Sequence, residues 1–154
     1  MTTAQYIEKR LGELAQHKQN FERLFYFLEE EELFFIPEGE QWSAIECIEH
    51  INNVNEAYLT QLTKVCQLDQ ASQSKDLPLS WFQRKAYQWM SPLSTPGATK
   101  VPAPKALLPR RMRDPKLKIS AQKVMENFIS DLSQIERLLR SEERRVGKEC
   151  RSRW

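Results

Sequence analysis

Apolar residues recur at three- and four-residue steps through three long stretches of the chain. From Thr3 to Leu33, residues Ile7, Leu11, Leu14, Phe21, Leu24, Phe25 and Leu28 share one stripe of a 3.6-residue repeat, predicting a long amphipathic helix that lines a bundle. The run Phe34-Phe35-Ile36-Pro37-Glu38-Gly39 breaks it, because Pro37 biases Ile36 away from the α region and Gly39 permits a turn. A second helix runs from Ser43 to about Leu68, with Ile51, Val54, Tyr58, Leu62 and Val65 on one face. Ser120 caps a third, whose stripe is Val124, Phe128, Ile129, Leu132, Ile135, Leu138 and Leu139. Three such stripes leave a groove that a fourth helix normally fills.

The connections differ in character. Residues 69–76 are polar and without periodicity, which predicts a surface loop. Leu79 to Met90, dense in aromatics and free of proline, reads as a short helix roofing the bundle. Ser91 to Pro115 holds six prolines and cannot be regular structure; it is a long crossover with extended character, either a lid or a plain spacer. At 154 residues, 40% hydrophobic and only four glycines, the chain suits one all-α domain over residues 1–140, an up-down helical bundle whose fourth helix is missing or replaced.

Chemistry concentrates at the start of the second helix. Ser43 followed by Glu46 forms a capping box, so the helix begins at about Ser43. His50 then lies at the edge of the apolar face, beside Cys47 and Val54, where it is either a satisfied, half-exposed histidine or a group looking into a cleft. Cys47 precedes His50 by three residues, a spacing that suits a shared metal ion or a lowered thiol pKa, but the residue reads first as a small buried hydrophobe. Glu46 and Glu49 flank His50 as an orienter or general base, or simply belong to a solvated face. His17 is expected at the surface. Three cysteines, odd in number and widely spaced, suit reduced thiols and neither a disulfide framework nor a zinc knuckle.

Trp42, Ser43, Glu46, His50 and Ile51 together resemble the opening of the second helix in the DinB-like (YfiT-like) family. The resemblance covers most of residues 1–140, including the proline-rich crossover around Pro102–Pro109 and the helix ending Gln134-Ile135-Glu136-Arg137-Leu138-Leu139. It implies a four-helix bundle, commonly dimeric. It also implies a divalent metal held by one histidine of the second helix and an H-x-x-x-H pair on the last, with transferase chemistry on a thiol or hydrolase chemistry. Only the first ligand matches here, at His50. The ion, zinc or nickel, is therefore not expected to be held stably by this chain, because a catalytic site generally takes three protein ligands.

Charge adds two features. The first third is acidic, densest at Glu29-Glu30-Glu31-Glu32, whereas Lys100 to Lys123 carries eight basic residues against Asp114 alone. The glutamates read as a solvated helix end and the basic strip as an exposed loop or a docking strip. Lys105, Arg110, Arg111, Arg113, Lys116 and Lys118 lack the interleaved aromatics and recognition helix of a nucleic-acid binder, so none is expected as partner. Residues 141–154 hold five basic and three acidic groups, leaving 18 of each in residues 1–140, so the net +2 comes from this segment. It has no apolar stripe and resembles translated library-adapter sequence, a tail expected to be non-native. No apolar run reaches bilayer length and no signal pattern opens the chain, giving the expectation of a cytoplasmic protein without membrane contact. Phosphate loops, G-x-S-x-G elbows and Cys-x-x-Cys pairs are absent. Two readings follow: a metal-dependent enzyme of thiol-transferase or hydrolase type using His50, or a non-catalytic helical module that dimerises.

Overall fold

The computed structural model describes residues 2–38, 42–67, 81, 103–114 and 116–151. Five α-helices and one 3-10 turn make up the described elements: α1 (Thr3–Phe25), α2 (Glu30–Phe34), α3 (Ala44–Gln67), the 3-10 turn Lys105–Leu107, α4 (Arg110–Arg113) and α5 (Ala121–Arg151). Thr2 opens α1 through a reciprocal capping box with Gln5.

The first helix ends at Phe25, earlier than the apolar stripe suggests. Glu29 caps a new helical start, its side chain taking the Glu32 backbone N–H while the Glu32 carboxylate accepts from the Glu29 N–H at 2.9 Å. Glu30 and Glu31 fill the first turn together with Glu32, where negative charge favours a helix N-terminus over a helix interior. The short α2 exists to deliver Leu33, 2% exposed, into the core. There Leu33 meets Ile45 and Ile48 of α3 and Ala121 and Val124 of α5, with Phe21, Phe25, Phe34 and Phe128 packed around them. Phe21 and Phe128 rings lie 4.5 Å apart, centroid to centroid.

Both α1 and α3 pack along α5, which is the central helix of the array. Pairing directions follow from the contacts. Phe21 meets Phe128 while Lys18 reaches Ser133 and Glu136, so α1 and α5 are antiparallel. Asn52 bonds Val124 and Asn55 lies beside Asp131, so α3 and α5 are parallel. Parallel neighbours cannot be joined by a tight turn, which is why a long crossover separates them.

The buried side of α3 is not the arc the repeat singled out. Ile45, Ile48, Glu49, Asn52 and Leu59 face inward, while Ile51, Tyr58 and Leu62 are exposed. The helix therefore carries two apolar arcs, and α5 covers the one that also holds polar groups. α5 itself runs without interruption past Leu139 to Arg151, about 46 Å in all. With no apolar seam there, its last turns draw on strong helix formers and on charge pairs, Arg140 with Glu136 and Arg145 with Glu142. The antiparallel register sets α1's buried Ile7 alongside residues 141–145. The expected helix over Leu79–Met90 lies outside the described residues except for Trp81, which is exposed. Among the described residues, no helix is long and apolar enough to cross a membrane.

Candidate functional site

The N-terminal turns of α3 and the crossover segment 103–114 form one polar junction, in which Ser43, Glu46, Glu49 and His50 are engaged. Ser43 and Glu46 form the expected capping box: the Ser43 N–H donates to Glu46 Oε2 at 2.9 Å, and the Glu46 N–H donates to Ser43 Oγ at 3.4 Å. Glu46 is 1% exposed and Glu49 2%, so neither belongs to a solvated face. Their charges are met from the crossover. Arg111 forks onto Glu46, its Nε donating to Oε1 and its Nη2 to Oε2 at 3.1 Å. Arg110 reaches Glu49 twice, by its backbone N–H and by its guanidinium Nε, each at 2.9 Å. Burial pushes the Glu46 carboxyl up, but the Arg111 hydrogen bond, the Ser43 N–H and the guanidinium charge outweigh it and hold the group below the usual range. Part of the basic strip is thus spent on α3 itself.

The backbone of this segment follows from its prolines. Pro104 and Pro109 hold their φ at −55° and −54°, each opening one short helical turn. The turns aim the Leu107 and Leu108 carbonyls at α3. His50 Nδ1 lies 2.7 Å from the Leu107 oxygen, and since a carbonyl only accepts, Nδ1 carries the proton. With Nδ1 so occupied, Nε2 is the ring nitrogen left to meet a further partner. Asn53 donates to the Leu108 oxygen at 3.1 Å and to that of Leu107 at 3.4 Å. The Trp42 indole tilts against the imidazole with centroids 5.0 Å apart.

Cys47, read as a small buried hydrophobe, is instead exposed, because α3 turns that arc away from α5. His17 is at the surface as expected. A three-ligand metal centre does not assemble: among the described residues no group of three or more His, Cys, Asp and Glu side chains converges on one point. The carboxylates nearest to His50 in sequence are taken by Arg110 and Arg111. His50 is one oriented nitrogen donor without companions in that set.

Sequence reasoning passed over Asn52 and Asn53. A signal was available, because an Asn-Asn pair in mid-helix is poor for propensity and implies work for the side chains. Asn52 lines a groove of about 710 Å³ between α3 and α5, together with Glu56, Asn127 and Asp131.

No curated protein and no solved structure matched the chain. A family model described as the DinB superfamily matches residues 13–153. A matched span that takes in the C-terminal half of α1 and all of α2, α3, the crossover and α5 makes this all-α chain a member of the DinB superfamily.

Proposed function

We propose that this DinB-superfamily domain works as a helical association module, pairing with a second copy of itself through the outer arc of α3. The observation that carries the reading is the exposure of Ile51, Tyr58 and Leu62, at 42%, 62% and 46%, on a helix whose opposite arc is buried. At 100° per residue, Cys47, Ile51, Val54, Tyr58 and Leu62 share that outer arc, and no charged residue falls among them; Glu49, Glu56 and Lys64 lie on the other side. Two-fold pairing sets each patch against its own copy, so an uncharged strip avoids facing like charges. Half-exposed side chains return roughly 1 kcal/mol each on burial, about 6 kcal/mol over both copies. Association itself costs roughly 4–15 kcal/mol. The pair is therefore weak and dissociates on dilution. Sedimentation velocity from about 5 to 500 µM is expected to show a concentration-dependent shift toward dimer that Tyr58→Glu abolishes. A monomer throughout, or a dimer indifferent to Tyr58→Glu and Leu62→Glu, overturns this reading.

The ring of His50 favours a second reading, the metal-dependent transferase or hydrolase implied by the family. Metal-bound histidines commonly donate their other nitrogen to a carbonyl or carboxylate, as His50 Nδ1 does to Leu107. Bound zinc or nickel would lower the pKa of a thiol or water. The described residues do not fit a three-ligand centre, so no reaction step is assigned through the ion. Following the His50 imidazole by NMR during a Zn²⁺ titration tests the point. Micromolar binding lost in His50→Gln supports it; millimolar binding, or binding unchanged by His50→Gln, rules it out.

A further inference from the structure

The densest run of exposed apolar side chains lies at the corner between α1 and α2, a surface that neither reading above uses. Leu24, Tyr26 and Phe27 are 58%, 81% and 80% exposed, with Leu28 beside them, and Phe35 just past α2 is exposed as well. The Tyr26 and Phe27 rings meet edge to face, with centroids 5.3 Å apart, and lean on each other instead of the core. Phe21 and Phe25 already take the core-facing positions on this part of α1. Contiguous exposed apolar groups, aromatic ones above all, mark an association surface.

Charge decides what covers it. Residues 21–36 hold Glu22, Glu29, Glu30, Glu31 and Glu32 against Arg23 alone. Elsewhere the chain matches carboxylates to cations, Glu13 to Arg10, Glu46 to Arg111 and Glu136 to Lys18, whereas none of these five glutamates is in an ion pair among the described residues. The complement is therefore a surface both apolar and cationic. A second copy docked on the same corner would set glutamates against glutamates, and an anionic bilayer leaflet would repel them. A small molecule would need enclosure, and the cavities of about 710 and 210 Å³ are lined by none of residues 22–32.

We propose that the α1–α2 corner docks a basic amphipathic segment of another protein, whose apolar side chains cover Tyr26 and Phe27 while its lysines or arginines pair with Glu30 and Glu31. The test is a titration of the ¹⁵N-labelled full chain with three synthetic helical peptides of equal length, one of leucine and lysine, one of leucine and glutamate, one of serine and lysine. Saturable shifts centred on residues 22–36 are expected with the leucine–lysine peptide, and binding at least tenfold weaker with the other two. Tyr26→Ser with Phe27→Ser should weaken the leucine–lysine peptide by about tenfold or more while the melting temperature holds, because both rings are exposed. Glu30→Gln with Glu31→Gln should weaken it similarly and flatten its dependence on salt. The proposal is overturned by absence of saturable shifts up to about 1 mM. Equal binding of either control peptide, shifts centred on the outer arc of α3 instead of the corner, or indifference to both pairs of substitutions overturns it as well. Self-association of the free chain that Tyr26→Ser with Phe27→Ser abolishes would put a second copy on the corner, and that too overturns it.

Discussion

Replacing Glu46 by alanine should be among the most damaging polar-to-apolar changes in the chain, and its cost can be built from parts. The substitution removes the acceptor of the Ser43 N–H, a buried donor on a residue 1% exposed. Leaving a buried donor unmet costs about 1–3 kcal/mol. It also removes one half of the capping box, although the Ser43 hydroxyl can still accept the N–H of residue 46. The Arg111 fork adds less than its geometry suggests: the arginine side chain is 43% exposed, so solvent screens the pair to roughly 1 kcal/mol or below. The sum is about 2–4 kcal/mol, or roughly 10 °C in melting temperature for a chain of this size. Glu46→Gln keeps an oxygen for Ser43 and should cost only about 1 kcal/mol, as should Arg111→Ala. Urea denaturation of the three variants at pH 7 provides the readout. If Glu46→Ala falls within about 0.5 kcal/mol of the parent, or Glu46→Gln does equal harm, the buried box is not what anchors α3.

Three more expectations follow from the same contacts. Leu33→Ala should cost about 2–4 kcal/mol in the same denaturation, because the side chain fills the space where α2, α3 and α5 meet and a five-residue helix has nothing else to dock it. Glu46 is depressed in the folded state, so its contribution is complete above the unfolded value of about 4.3 and fades as pH falls through the folded value; a stability–pH curve of Glu46→Gln should lack that acid limb. Asp131 is shifted upward, which reverses the sign: its ionised form opposes folding above the folded value. Asp131→Asn should therefore raise the melting temperature at pH 7, with a gain that shrinks toward pH 4; a loss at pH 7 refutes the assignment.

The parts of this architecture that are local in sequence could be read from it. The three long helices announce themselves through apolar spacing, and Ser43 with Glu46 marks the start of α3. What escaped reading depends on partners far along the chain. Glu46 and Glu49 look like a solvated pair until Arg111 and Arg110, 65 and 61 residues later, close onto them. His50 looks like an edge group until the Leu107 carbonyl arrives from 57 residues away. Periodicity found an apolar arc on α3 but could not choose between two, since Ile45, Ile48 and Leu59 repeat as regularly as Ile51, Tyr58 and Leu62. The end of α1 was missed for a different reason: Glu29 and Glu32 restart the helix through a capping box whose members are both glutamates.

The clamp between α3 and the crossover also sets an order of events during synthesis. Glu46 and Glu49 emerge from the ribosome long before the arginines that neutralise them; at about 5–20 residues per second, the 61–65 residues in between take roughly 3–13 s. During that interval α3 has its apolar stripes but neither its charge partners nor α5, so burying its inner arc would strand two carboxylates away from water. A nascent chain is thus discouraged from collapsing around the wrong neighbour, and docking of α3 waits until Arg110 and Arg111 are present.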